Sequence, residues 1–401
     1  MVILTGATGT LGIWILNLLR TSDQIREIHC LTRGASEHAA RERISKALHQ
    51  KQLPPIENSI PAIFVHTCKL SEESLGLSPE VYISLTPKAS IIIHAAWSVN
   101  FNLPLKGFTA DLKSLNNLLQ LSASSSRTEP PSFLFCSSVA SVLGSKKSIS
   151  IPERLDPDPA AASSVGYGRS KWVAEQICHA ADQHNKRLRG RVAILRIGQL
   201  CGDGYAGVWN VTEAWPLMLS SSTVTEALPK LKETLNWLKV DVAAAAVVEI
   251  AMNLAQGTRD KRERESNSHE IGANPGHQTC EEHNEEPGLG VYHVINNQQT
   301  PRWDDLLAWI KKRKPEIEPL PPAEWVARLE HLEGAARDHP ARKLLGLWKA
   351  AYCSPAGAEE GTEPSFEMEK TLHVAPILGK VLPLDEAYFE KIWAWIEREM
   401  S

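Results

Sequence analysis

Short apolar runs recur through the first half of the chain, each separated from the next by a longer stretch of helical periodicity. The runs are "VILTG", "EIHCLTR", "PAIFVHT", "ASIIIHAA", "SFLFCSSV" and "GRVAILRIGQL". Between them lie "LGIWILNLLR", "HAARERISKALHQ", "DLKSLNNLLQLSA" and the segment that follows Tyr167, all patterned for helices. Strands alternating with helices predict a parallel sheet covered on both faces. The almost unbroken apolar character of "SIIIHAA" and "SFLFCSS" fits strands buried on both sides. The expected fold is α/β, with a Rossmann-type doubly wound parallel sheet over residues 1–205.

The rhythm changes after residue 205. Residues 206–257 mix loop and helix, as segments of a substrate lobe, and end in a helix from about Val242. Residues 258–288, "TRDKRERESNSHEIGANPGHQTCEEHNEEPG", contain almost no large apolar side chains. That composition cannot bury a core and predicts a disordered insertion. Its histidines, His269, His277 and His283, lack ligand spacing, so no metal is expected. "VYHVINN" returns as a short strand, and residues 289–401 read as a smaller, mostly helical C-terminal substrate lobe. Trp393 and Trp395 lie there on one helical turn, where such a stripe is a core feature.

The 401 residues are 43% hydrophobic and 22% charged, which is globular composition. Lys and Arg number 43 against 47 Asp and Glu, a net charge of −4 with no basic stripe, so nucleic acid is not an expected partner. Seven scattered cysteines, never in a C-x-x-C pair, point to reduced thiols rather than a disulfide framework. No apolar run approaches the roughly 18 residues of a membrane span. The chain opens almost directly on its first strand, which leaves no room for a leader, and the expected location is cytoplasmic.

"TGATGTLG" joins the first strand to the first helix. Gly6, Gly9 and Gly12 supply a tight turn, close backbone approach to a pyrophosphate, and close packing of helix on strand. The helix start then offers free N–H groups and a positive dipole end to the phosphates. The second strand ends in "CLTRGAS", where a carboxylate would favour NAD; Arg33 stands there instead, with Arg43 on the next helix. Planar guanidinium groups suit a ribose 2′-phosphate, so NADP(H) is the expected cofactor.

"GYGRSKWVAE" places Tyr167 and Lys171 four residues apart, on one face of a helix. A free phenol has a pKa near 10. A neighbouring ammonium group favours the phenolate and draws that value towards neutrality. Lys171 can also hold the nicotinamide ribose. Ser137 and Ser138 close the apolar strand about 30 residues upstream and offer a hydroxyl to a substrate carbonyl.

Together, "TGATGTLG", "IIIHAAWSVNF", "FCSSVASV" and "GYGRSKWVAE" resemble the extended short-chain dehydrogenase/reductases. More narrowly, "GYGRSKWVAEQI", "RVAILRIGQLCGD", "GVWNVTEAWPLML", "ALPKL" and "NWLKVDVAA" are similar to the terminal thioester reductase domains of fungal nonribosomal-peptide-synthetase-like enzymes. The resemblance implies NADPH-dependent reduction of an acyl thioester on a carrier's phosphopantetheine arm to an aldehyde, in some members onward to an alcohol, in secondary metabolism. It implies Ser138, Tyr167 and Lys171 as catalytic residues, with Ser137 as a second candidate for the serine. It assigns Gly6, Thr8, Gly9, Thr10, Leu11 and Gly12 to the pyrophosphate loop, and Ala95 and Ala96 to the strand end beside the cofactor. Two positions depart from the family: Lys69 in "CKL", where a carboxylate contacting adenine is usual, and Asp111, where an asparagine relay is common. No adenylation or carrier domain is recognisable, so the expected partner is an acyl or peptidyl carrier protein acting in trans, or a small-molecule substrate, unless the chain is a fragment of something longer. The same three side chains also suit reduction of a free ketone or aldehyde, and a third reading is a non-catalytic NADP-binding sensor. Trp209, Asn210 and Glu213 are candidates for the substrate mouth. Asp241 reads as a helix cap, and Gln199 as a cleft or loop residue.

Overall fold

The computed structural model describes residues 1–56, 59, 61–144, 150–270, 288–353 and 364–400, with 257–270 as backbone only. Seven strands form one parallel sheet: β1 (Val2–Thr5), β2 (Glu27–Thr32), β3 (Ala62–Thr67), β4 (Ile91–His94), β5 (Ser132–Ser138), β6 (Val192–Ile197) and β7 (Gly290–Val294). Their spatial order is β7-β6-β5-β4-β1-β2-β3, with every neighbouring pair parallel. The order reverses between β1 and β4, and doubly wound sheets bind ligands at the carboxyl ends of the strands at such a switch point.

Alternation along the strands feeds two cores. Val2 and Leu4 face α1 (Thr10–Leu19), whose Ile13 and Leu16 pack with Ala243 and Val247 of a long later helix. Ile3, Ile92, Phe133 and Phe135 face the opposite layer, where Leu115 and Leu118 of α4 (Thr109–Ala123) meet Ala174 and Cys178 of α5 (Gly166–His184). Two further helices complete the first half, α2 (Glu37–Gln50) and α3 (Pro79–Leu85). A third core, built from Trp209, Trp237, Trp303, Trp325, Trp348, Trp393 and Trp395, belongs to the lobe. Trp393 and Trp395 are buried in it.

Three details differ from the sequence reading. The segment "GVYHV" is the outermost strand of the sheet, paired with β6 from Gly290↔Ala193 to Val294↔Ile197, rather than the start of the lobe. Met368, Ala375 and Leu378 also pack into the sheet-side core, so the tail crosses back before its final helix, Glu386–Met400, rejoins the lobe. Finally, the long helix α6 (Val240–Glu270) runs well into the stretch expected to be disordered. Its "TRDKRERES" is rich in Arg, Lys and Glu, good helix formers that can extend an already nucleated helix. The remainder, 271–287, lies outside the described residues, along with His277 and His283.

Candidate active site

The glycine turn is shaped by close backbone contacts. Gly6 has φ +78°, and a Cβ there would lie 2.6 Å from the Ala95 carbonyl carbon and 2.7 Å from the Ala96 nitrogen. A Cβ on Gly12 would lie 2.1 Å from the Gly6 oxygen. Any side chain at either position would force the turn off the end of β4, or the helix off the turn. Gly9 caps α1 without a side-chain acceptor, and no acidic residue occupies the first turn. The first N–H groups of α1 therefore remain available to an anion. Thr8, Thr10 and Leu11 sit half-exposed around this start. Thr5 Oγ1 ties β1 to β4 through His94 Nδ1 at 2.8 Å and accepts from the Ala96 N–H at 3.3 Å. A dinucleotide's pyrophosphate fits this cradle.

Arg33 and Arg43 meet beyond β2: an Arg43 guanidinium N–H donates to the Arg33 carbonyl at 2.7 Å, and both side chains are exposed. Lys69 pairs with Glu72 at 2.9 Å on the surface.

Tyr167 opens α5 between two glycines, and both loops that flank it press close. A Cβ on Gly166 would lie 2.2 Å from the Leu103 oxygen, and one on Gly168 would lie 2.6 Å from the Ala140 oxygen. Adjacent strand residues point to opposite faces, and this separates the two serines. Ser137 is buried and donates to Glu175 Oε1 at 2.6 Å. Ser138 is half-buried, caps the next turn by accepting from the Ala140 N–H at 3.2 Å, and hydrogen-bonds the Tyr167 phenol. Ser138, Tyr167 and Lys171 are thus brought together, and Ser137 is turned away.

The electrostatics differ from the expectation that Lys171 draws the phenol towards neutrality. Burial pushes Tyr167 up to about 12, against the opposing hydrogen bond from Ser138. Lys171 is itself pushed down to about 7 by burial, with Cys136, Asp111, Glu175 and Cys178 pulling the other way. Its ammonium donates to the Cys136 carbonyl at 2.7 Å and lies over Trp97 at 4.4 Å and Phe135 at 4.7 Å, but 5.8 Å from the Tyr167 ring centre. Desolvation outweighs a cation engaged elsewhere. The phenol therefore stays protonated at neutral pH, the state in which it can give a proton.

Asp111 holds the loop after β4, accepting from the Ser98 N–H at 3.0 Å and the Ser98 hydroxyl at 3.2 Å. Trp209 is buried against Trp237 at 5.0 Å and belongs to the lobe core. Glu213 accepts from Trp209 Nε1 at 3.0 Å and also meets Thr10 of the glycine loop; burial raises its pKa. Gln199 bonds the local Leu200 carbonyl. Asp241 accepts from the Gly204 N–H at 3.0 Å, fastening a loop to the start of α6.

Sequence reasoning missed Glu175 and Arg196, an ion pair at 2.9 Å with both side chains 1% exposed. Glu175 Oε1 also accepts from Ser141 at 2.7 Å, so one carboxylate clamps hydroxyls on both sides of Ser138. Arg196 continues to His293 Nε2 on β7 at 3.4 Å. The signal was present: Glu175 is one helical turn beyond Lys171, and Arg196 is the lone charge in the apolar strand "VAILRI". A charge in such a strand requires a partner.

Among the described residues, no group of three His, Cys, Asp or Glu is placed to hold a metal, and no helix is long and apolar enough to cross a membrane.

A glycine cradle at the crevice of a parallel sheet, beside a serine, a tyrosine and a lysine, defines an extended short-chain dehydrogenase/reductase, an oxidoreductase class that binds an NAD(P)-type dinucleotide. The sequence profile of the NAD-binding male sterility protein family matches residues 4–247, more than half of the chain, and the chain belongs to that family. It is 27% identical over 375 residues to an adenylate-forming reductase of Serpula lacrymans, covering 90% of this chain and 30% of the relative. It is 32% identical over 261 residues to an adenylate-forming reductase of Aspergillus terreus, covering 62% of this chain and 24% of the relative. The chain thus spans about a quarter to a third of the length of these relatives. In fold it is similar to the terminal R domain of the myxalamid PKS-NRPS pathway, with a TM-score of 0.77 and 24% identity, covering 100% of this chain and 91% of that one.

Proposed function

We propose that this chain is an NADPH-dependent thioester reductase, converting an acyl group on a carrier's pantetheine arm to an aldehyde. The observation that carries carbonyl reduction is the meeting of Ser138, Tyr167 and Lys171 beside the glycine cradle, and the likeness to adenylate-forming reductases and to a terminal R domain favours a thioester as the carbonyl. The named activities of the reductase relatives support it. The overall change is acyl thioester plus NADPH plus a proton giving aldehyde, free thiol and NADP⁺. NADPH, when bound, supplies hydride to the carbonyl carbon. Ser138 holds the carbonyl oxygen, and Tyr167 places its proton there, giving a hemithioacetal. That hydroxyl proton then leaves oxygen as the C–S bond breaks, and the sulfur departs as the thiol. Lys171 and the glycine loop hold the dinucleotide, and Arg33 with Arg43 takes its 2′-phosphate. The carrier acts in trans or on a longer polypeptide.

NADPH consumption tests the proposal, measured with acyl-pantetheine thioesters against free ketones and aldehydes. Turnover on thioesters with release of thiol is expected, and turnover on free carbonyls alone overturns it. Arg33→Ser is expected to weaken NADPH binding about tenfold with little change for NADH. Equal losses for both would mean that Arg33 does not read the 2′-phosphate.

The site also has an expected pH dependence. Lys171 has a lowered pKa of about 7, so it is a cation below that pH and neutral above it. The pH profile of kcat/KM is therefore expected to fall as pH rises through about 7, while Tyr167 keeps its proton. An alkaline limb that stays in place in Lys171→Arg would assign it to another group.

A further inference from the structure

Among the described residues, nine large apolar side chains are exposed, and four of them stand on the two loops that flank Tyr167. Val99 (69% exposed), Phe101 (40%) and Leu105 (37%) rise from the loop after β4, and Leu143 (45%) from the loop after β5. The Phe101 ring meets the Tyr167 ring edge-on, with centroids 5.2 Å apart, so the apolar surface begins in contact with the group that donates the proton.

The stretches nearest Tyr167 are apolar or small: residues 97–105 read "WSVNFNLPL" and residues 137–144 read "SSVASVLG". The first loop is not slack. Asp111 holds Ser98, the Leu103 N–H donates to the Asn100 carbonyl at 3.4 Å, and Gly166 leaves no room beneath Leu103 and Pro104. A held surface that keeps large apolar side chains in water marks a binding surface.

We infer that these loops form the acyl subsite, and that it selects a longer apolar acyl group over a short one, with Phe101 as the specificity-determining residue. The inference rests on the thioester-reductase reading for the identity of the substrate, and on the exposed apolar side chains of the two loops for its character. With the carbonyl at Tyr167, the carbons following it lie along Phe101 and Val99, with Leu143 on the opposite wall. The pantetheine sulfur leaves in the other direction.

The test is kcat/KM for two graded series, pantetheine thioesters from acetyl to decanoyl and the matching free aldehydes. Wild type is expected to gain about twofold to fourfold per methylene until the surface is filled. Phe101→Ala is expected to flatten that slope, read as the ratio of decanoyl to acetyl kcat/KM within the variant, so that a loss shared by every chain length cancels. Because Phe101 touches Tyr167, Leu143→Asn is measured as well, from a wall that does not carry that contact, and a reduced slope is expected there too. Equal rates across chain length overturn the inference. The two failures are separable: the ratio of thioester to aldehyde turnover tests the reductase reading, and the chain-length slope within whichever series turns over tests the subsite.

Discussion

Tyr167→Phe is expected to lower kcat by about 10²- to 10⁴-fold, the usual contribution of a positioned proton donor. The ring would remain in place, because Phe101 and Phe108 contact its edges at 5.2 and 6.3 Å and neither contact involves the hydroxyl. Binding of NADPH, followed by fluorescence titration, is therefore expected to be unchanged. Loss of turnover with retained binding separates a chemical role from a structural one. If Tyr167→Phe keeps a tenth or more of the wild-type rate, the proton comes from elsewhere. Lys171 would be the next group to examine, since at a pKa of about 7 it could also donate.

The second large effect is on stability. Arg196→Met leaves the Glu175 carboxylate buried without its counter-charge, a change that typically costs about 3–5 kcal/mol. Equilibrium urea unfolding should record that loss. Combining it with Glu175→Gln is expected to recover part of it, because the amide oxygen still accepts from Ser137 and Ser141 and no charge remains stranded. If the double variant is less stable than Arg196→Met alone, the pair is not coupled as the geometry implies.

The sheet was largely legible because a strand buried on both faces leaves little choice of residue, and "SIIIHAA" and "SFLFCSS" satisfy that demand visibly. The last strand was recognisable as a strand but not as a member of this sheet, since its partner lies far away in sequence and pairing leaves no local mark. Charge density in "TRDKRERES" was read as disorder, although charge forbids burial and not helix. At the site, the glycines and the Tyr–Lys spacing were legible because each answers a geometric need. The choice between Ser137 and Ser138 was not, because it depends on which face of β5 each one meets. The raised pKa of Tyr167 was not legible, because it comes first from burial of the phenol, which the spacing of Tyr167 and Lys171 does not reveal.

The position of β7 has a consequence for synthesis. β6 cannot acquire its outer neighbour until the ribosome has passed residue 294, so at about 5–20 residues per second its free edge waits about 5 to 20 s. Over that interval a nascent, apolar, unpaired strand is open to intermolecular pairing. Arg196, the single charge along β6, is the kind of residue that discourages such association while that edge is open.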